Sequence, residues 1–149
     1  MDVIAGRKTA GKVEGSIRVN GHPQSFPSFN RLMGYVEQTD IHVGMHTVRE
    51  AIEFSAKLRL PSGVTDEARG HFVELLLDEL ELRPLADRII GDANVEGLSP
   101  GELKRLTIAV EMAANPTFLF LDEPSQSSNS NEAASAYSSV ASGIPWTDL

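Results

Sequence analysis

Apolar and polar positions alternate along Val13–Val19, with Val13, Ile17 and Val19 on one side, and Asn20-Gly21 follows. That pattern predicts a strand running into a tight turn. Residues 1–6 read as the end of a helix, with Gly6 suited to the stop. Pro23 and Pro27 keep 22–30 irregular, and a second short strand is expected at Leu32–Glu37. Helical spacing then takes over. Thr47 caps a helix through about Leu58, with Val48, Ala51, Ile52 and Ser55 on one face, and Pro61-Ser62-Gly63 breaks it. Thr65 opens a second helix, acidic at Asp66 and Glu67 as the helix dipole favours, with a buried stripe of Phe72, Leu75, Leu76 and Leu80. A third helix begins at Ser99 and stops near Asn115-Pro116. Phe118–Leu121 is continuously apolar, the pattern of a strand buried on both faces of a parallel sheet.

At Ser125 the pattern stops. Residues 125–149 hold eight serines and two charged side chains, Glu132 and Asp148, so this tail reads as weakly structured, with a short helix at Glu132–Val140 the one element it allows. The expected division is therefore 1–124 and 125–149.

Composition narrows the class. The 149 residues are about one domain's worth, and 41% hydrophobic content is enough for a packed core. No apolar run reaches the roughly 18 residues of a membrane span, and the N-terminus lacks a secretory pattern. Cysteine is absent, which removes disulfides and thiolate metal sites. A net charge of −8 argues against a nucleic-acid-binding surface. A local phosphate site made from backbone amides remains compatible with it.

Two stretches carry candidate chemistry. In Leu98-Ser99-Pro100-Gly101-Glu102, Ser99 and Glu102 have capping-box spacing and Pro100 takes the first helical position. This makes a sound helix start. The same serine hydroxyl and free amides at a positive helix end also make an anion site suited to phosphate. The second stretch is Phe118–Pro124, four apolar residues ending in Asp122-Glu123. It places two carboxylates at the carboxyl end of a buried strand, where open α/β sheets bind ligands. Asp122 can hold Mg²⁺ through water, and Glu123 can polarise a water for attack on a γ-phosphate. A strand ending by chance in acids before a proline turn is the plainer alternative.

These blocks, in this order, resemble the ATP-binding domain of ATP-binding-cassette (ABC) transporters, and most closely the G subfamily of pleiotropic-drug-resistance type. Residues 1–9 are similar to the segment after the family's phosphate loop, and Gly34–His42 to its glutamine-loop region. Thr47-Val48-Arg49-Glu50 resembles the start of the next helix, residues 97–116 the signature and its helix, and residues 118–124 the Walker B strand. The resemblance implies an α/β fold, a partial P-loop NTPase domain with a helical subdomain and an antiparallel β piece, lacking the phosphate-loop strand and the C-terminal sheet strands. It implies that Gln38 contacts Mg²⁺ and the attacking water, and that Asp122 supports Mg²⁺. Glu123 would be the catalytic base. Ser99, Gly101 and Glu102 at the helix start would clasp the γ-phosphate of ATP held by a second nucleotide-binding domain. Thr47–Arg83 would face the coupling helices of a transmembrane domain, on the cytoplasmic side of a membrane. For His42 and His46, structural or solvated roles are expected instead of metal binding.

A phosphate loop of the form GxxxxGK followed by Ser or Thr is needed for such an ATPase. Gly6–Val13 has the glycines and Lys12 at the right spacing, but Val13 stands at the Ser/Thr position and the following residues alternate like a strand. The resemblance places the true loop, and further off the adenine-stacking aromatic, upstream of Met1. After Pro124 the family pattern gives way to Ser125-Gln126-Ser127-Ser128-Asn129, and no histidine follows His71. The expectation is thus the middle of a larger ATPase domain that couples ATP to export of hydrophobic or lipid-like compounds and is inactive as a free chain. The alternative is a non-catalytic chain that docks on a complete transporter domain, or a gene fragment without a role.

Overall fold

The computed structural model describes residues 2–92 and 95–122. At the start, Gly6 adopts φ 70°. The Arg7 amide donates to the Asp2 carbonyl at 2.8 Å, and the Gly6 amide donates to that of Val3 at 3.3 Å. This is the paired closure that ends a helix on a left-handed glycine, although residues 2–6 themselves form turns only.

The first strand pair is shorter than its alternation predicts. β1 (Arg18–Val19) pairs antiparallel with β2 (His22–Pro23) across Asn20 and Gly21, whose φ of 50° and 82° give the doubly left-handed turn of tight hairpins. One further bond, from the Gln24 amide to the Ile17 carbonyl, extends the ladder. Pro23 has no amide to donate. The chain then turns at Ser25 into a one-turn helix, α1 (Phe26–Phe29), which the prolines had concealed. On the other side Gly15, at φ 118°, bends the run before it can pair.

β3 (Met33–Val36) lies within the expected Leu32–Glu37 and pairs in parallel with β4 (Phe118–Leu121), Met33 opposite Phe118 and Val36 opposite Leu121. The connection between them contains three helices. α2 (Val48–Arg59) starts on Thr47, whose hydroxyl accepts from the Glu50 amide while the Glu50 carboxylate accepts from the Thr47 amide at 2.9 Å. α3 (Asp66–Glu79) starts on Thr65 and is followed by a 3-10 turn at Arg83–Leu85. α4 (Pro100–Met112) starts on Ser99 and ends before Asn115, which takes φ 51° ahead of Pro116.

The core lies among these helices. Val48, Ile52, Phe72, Val73, Leu76, Leu77, Leu80, Leu106, Ile108 and Met112 are buried, and Leu75 is half-buried. α3 exceeds its expected stripe because it packs against both α2 and α4, so Val73 and Leu77 are covered too. The buried Ser55 hydroxyl donates to the Val110 carbonyl at 2.7 Å, which satisfies it inside the α2–α4 contact. β4 departs from expectation. Its residues are half-buried and Phe118 is 37% exposed, because among the described residues β4 has one strand neighbour.

A tight strap leads into α4. The Ile90 amide donates to His46 O, that of Gly91 to Gly44 O, and that of Leu98 to Ile90 O, each at 2.9 Å. A Cβ on Gly97 would fall 2.0 Å from Ile90 O, so only glycine allows this approach. The strap ties the loop before α2 to the loop before α4. Among the described residues, no helix is long and apolar enough to cross a membrane.

Candidate functional site

The parallel pair aims its two carboxyl ends at one place. The Asp122 amide donates to Val36 O at 3.0 Å, which fixes Asp122 beside the residues that follow β3. An open cavity of about 300 Å³ forms there, lined by Asp2, Arg7, Tyr35, Glu37, Gln38, Thr39 and Asp122. Gln38 and Asp122, 84 positions apart in the chain, thus face the same space.

Tyr35 forms the cavity floor. Its hydroxyl lies 2.8 Å from Asp2 Oδ1 and 3.2 Å from Asp122 Oδ2. A phenol has one proton, so it donates to one carboxylate at a time, with the shorter contact to Asp2. Burial pushes its pKa up to about 12, helped by the hydrogen bond to Asp2 and the charge of Asp122. It therefore stays a neutral donor. The Arg7 guanidinium sits 4.2 Å from the Tyr35 ring centroid and pairs with Glu37, so one cation stands among the acids.

The oxygen-bearing residues that line the cavity and could hold a metal include Asp2, Gln38 and Asp122. That chemistry fits Mg²⁺, which keeps several waters and uses one or two carboxylates. No group of three or more His, Cys, Asp or Glu side chains placed to hold a metal ion occurs among the described residues. Glu123 lies outside the described residues.

Ser99, Gly101 and Glu102 form a second feature, at the N-terminus of α4 and not on that cavity. Both halves of the capping box are made: the Ser99 amide donates to Glu102 Oε2 at 2.7 Å, and the Glu102 amide donates to Ser99 Oγ at 3.4 Å. The amide bond from Ser99 holds the Glu102 carboxyl below its usual range, against a smaller opposing effect of burial. Pro100 has no amide proton, so Gly101 supplies the first-turn N–H that helix geometry leaves without an intrahelical acceptor. The exposed Ser99 hydroxyl still has its proton to donate. The cap and an anion site are therefore compatible, with the Glu102 charge opposing the anion.

The sequence reading missed what connects the two features. Lys104, on α4, is buried, and its ammonium donates to Glu37 O and Gln38 O, each at 3.1 Å, and pairs with Asp40 Oδ1 at 2.8 Å. The signal was present: a lysine beside Leu103 and Leu106 on a packed helix requires a partner. Thr107 Oγ1 lies 2.6 Å from Asp40 Oδ1 and 2.8 Å from His42 Nε2. Burial lowers the His42 pKa, Asp40 opposes that, and Lys104 adds to it. His42 is thus a structural, neutral imidazole.

Residues 1–126 match the family model described as ABC transporter. Over 134 residues, 90% of this chain, it is 50% identical to "ABC transporter G family member 37" of Oryza sativa subsp. japonica and 48% identical to "ABC transporter G family member 31" of Arabidopsis thaliana. It is 47% identical over the same length to "Pleiotropic drug resistance protein 1" of Petunia axillaris. The chain spans 9% of the length of each of these relatives.

Proposed function

The chain belongs to the ABC transporter family, and we propose that residues 1–124 serve as the nucleotide-binding segment of a G-type transporter that couples ATP binding and hydrolysis to export. We extend the proposal to export of hydrophobic or lipid-like compounds, the class that the family resemblance implies. The observation that carries the reading is the convergence of Gln38 and Asp122 on one oxygen-lined cavity at the carboxyl ends of a parallel strand pair.

In this reading Asp122 holds Mg²⁺ through water and Gln38 supplies an amide oxygen to the ion or to the attacking water. Glu123, adjoining Asp122, takes the proton of that water. Bound Mg²⁺ neutralises charge that develops on the phosphates. Ser99 and Gly101 donate to the γ-phosphate of ATP held by a second nucleotide-binding domain, which accounts for their place away from the Gln38 cavity. The outward face of α2 and the loop before it meet the coupling helices of a transmembrane domain. Phe54 and Leu58 are 58% and 67% exposed there, and Ile41 is 78% exposed. Exposed large apolar side chains on this helix and loop are what such a contact would cover. The segment contributes metal, base and signature groups; within 6–13, Val13 cannot ligate Mg²⁺ as a phosphate-loop Ser or Thr would. We therefore expect no turnover by the 149 residues alone.

Paramagnetic Mn²⁺ with ATP, followed by NMR on the 149-residue chain, tests the site. The reading expects broadening at Tyr35, Gln38 and Asp122 that Asp122→Ala removes. Broadening spread over the acidic surface, unchanged by that substitution, would sink it. Turnover of ATP lost in Glu123→Gln would overturn the expected inactivity.

A further inference from the structure

We infer that Lys104 is the positioning residue for Gln38, anchoring the loop after β3 to α4 and so to the helix that carries Ser99. The inference rests on the proposed role of Gln38 as a metal-side ligand.

An ammonium has three N–H donors and no acceptor. Lys104 is 5% exposed, and each donor has an acceptor: Glu37 O, Gln38 O and Asp40 Oδ1. Burying an unpaired ammonium is strongly unfavourable, so the loop must follow the lysine or leave it uncompensated. Two of the three acceptors are main-chain carbonyls that flank or belong to Gln38. They fix the backbone of Gln38, a residue that lines the cavity. Thr107, three residues on and on the same face of α4, reinforces the contact. Its hydroxyl donates to Asp40 and hydrogen-bonds with His42 Nε2 at 2.8 Å. The order His42 to Thr107 to Asp40, with Lys104 on the other side of Asp40, closes the polar cluster.

The loop has a second anchor, since Val36 O accepts the Asp122 amide. Gln38 is therefore suspended between the strand end that bears Asp122 and the helix that bears Ser99. Lys104 stands five residues after Ser99, roughly 7 Å along the helix axis. A displacement of α4 produced by phosphate at its N-terminus reaches the Gln38 carbonyl through one side chain. A tetrahedral ammonium suits three divergent acceptors, whereas the planar fork of arginine does not.

The test uses ¹⁵N relaxation and Mn²⁺–ATP broadening on the 149-residue chain. In Lys104→Met, order parameters at Gln38–Asp40 should fall from about 0.85 to below about 0.6 while those of α3 hold. Broadening at Gln38 should be lost while that at Asp122 remains. Lys104→Arg should retain the charge yet restore Gln38 broadening only in part. Unchanged order parameters in Lys104→Met overturn the inference, as do lowered ones with undiminished broadening at Gln38. If the parent chain shows no broadening at either Gln38 or Asp122, the metal reading fails, and the order parameters alone decide the anchor. If Lys104→Met does not fold, Asp40→Asn decides in its place. It keeps both carbonyl bonds, so it should give a smaller fall in order and leave Gln38 broadening weaker but present; no change in either overturns the inference.

Discussion

The helical stretch 47–113 and the N-terminal stretch 2–36 are held together on different terms. Val36 excepted, every large side chain that is fully buried among the described residues lies between Val48 and Met112. The N-terminal stretch leaves Val3, Ile4 and Val13 at 37%, 51% and 54% exposure. It is tied down by polar contacts: Tyr35 to Asp2, Gln24 to Ile4 O, and Arg7 to Glu37 and the Tyr35 ring. The Gln24 and Arg7 contacts are exposed and contribute little each, the Tyr35 hydrogen bond is partly buried, and burial contributes in proportion to apolar area. The difference teaches that the candidate metal cavity stands on the weaker side. Its position depends on the β3–β4 ladder and on Lys104 reaching over from the stronger side.

Hollowing the helical core should have the largest effect. Phe72→Ala should destabilise by about 3–5 kcal/mol, because Phe72 is 1% exposed and packed between helices. Val3→Ala, at a 37% exposed position of the N-terminal stretch, should cost about 1 kcal/mol or less. Urea unfolding followed by circular dichroism reads both. Equal losses would mean that the two stretches share one core after all.

The same asymmetry governs what the sequence made legible. Thr47, Thr65 and Ser99 mark helix starts correctly because a cap is local chemistry, read within four residues. The stop at Asn115-Pro116 and the Asn20-Gly21 turn are local in the same sense. Strand extent is not. Val13–Val19 alternates throughout, yet pairing is decided by a partner that ends at Pro23. The apolar run 118–121 revealed a parallel strand but not its half-burial, which depends on how many strands stand beside it. At the site, the residue types of Gln38 and Asp122 were readable, but their meeting required the β3–β4 register. The acceptors of Lys104 lie more than sixty residues away, beyond any periodic signal. Glu123 and the helix expected at Glu132–Val140 lie outside the described residues.

A smaller effect is expected at the N-terminus of α4. Ser99→Ala removes the oxygen that accepts the Glu102 amide, and should cost about 1 kcal/mol. Ser99→Gly should cost only about a few tenths, because glycine is tolerated at a cap. Thr47→Ala, which breaks the equivalent box on α2, should match Ser99→Ala in stability. If Ser99 acts on phosphate as well, its substitutions alone should also abolish any protection of α4 by ATP in hydrogen exchange. Matching losses of protection in Thr47→Ala would reduce Ser99 to a cap.

The smallest effect is a pH dependence located at the junction of the two stretches. His42 contacts Thr107 of α4 through Nε2, and burial depresses its pKa below 6.5. As pH falls through 6.5, the unfolded chain takes up this proton before the folded chain does. Stability therefore falls as pH drops from about 6.5 toward the folded value, and it is fully present above that window. Glu102 titrates lower. Its folded pKa lies below 4.5, so its contribution is present above 4.5 and is lost as pH falls through the folded value. Two steps are expected in the melting temperature, the His42 step first and the Glu102 step further into acid. His42→Gln should flatten the first and leave the second, while Glu102→Gln should leave the first and reduce the second without removing it, because the carboxyls of Glu50, Glu74 and Asp78 are also held below their usual range. A first step that persists in His42→Gln would place the titrating group elsewhere, and the junction would then be held by Lys104 and Asp40 without help from the imidazole.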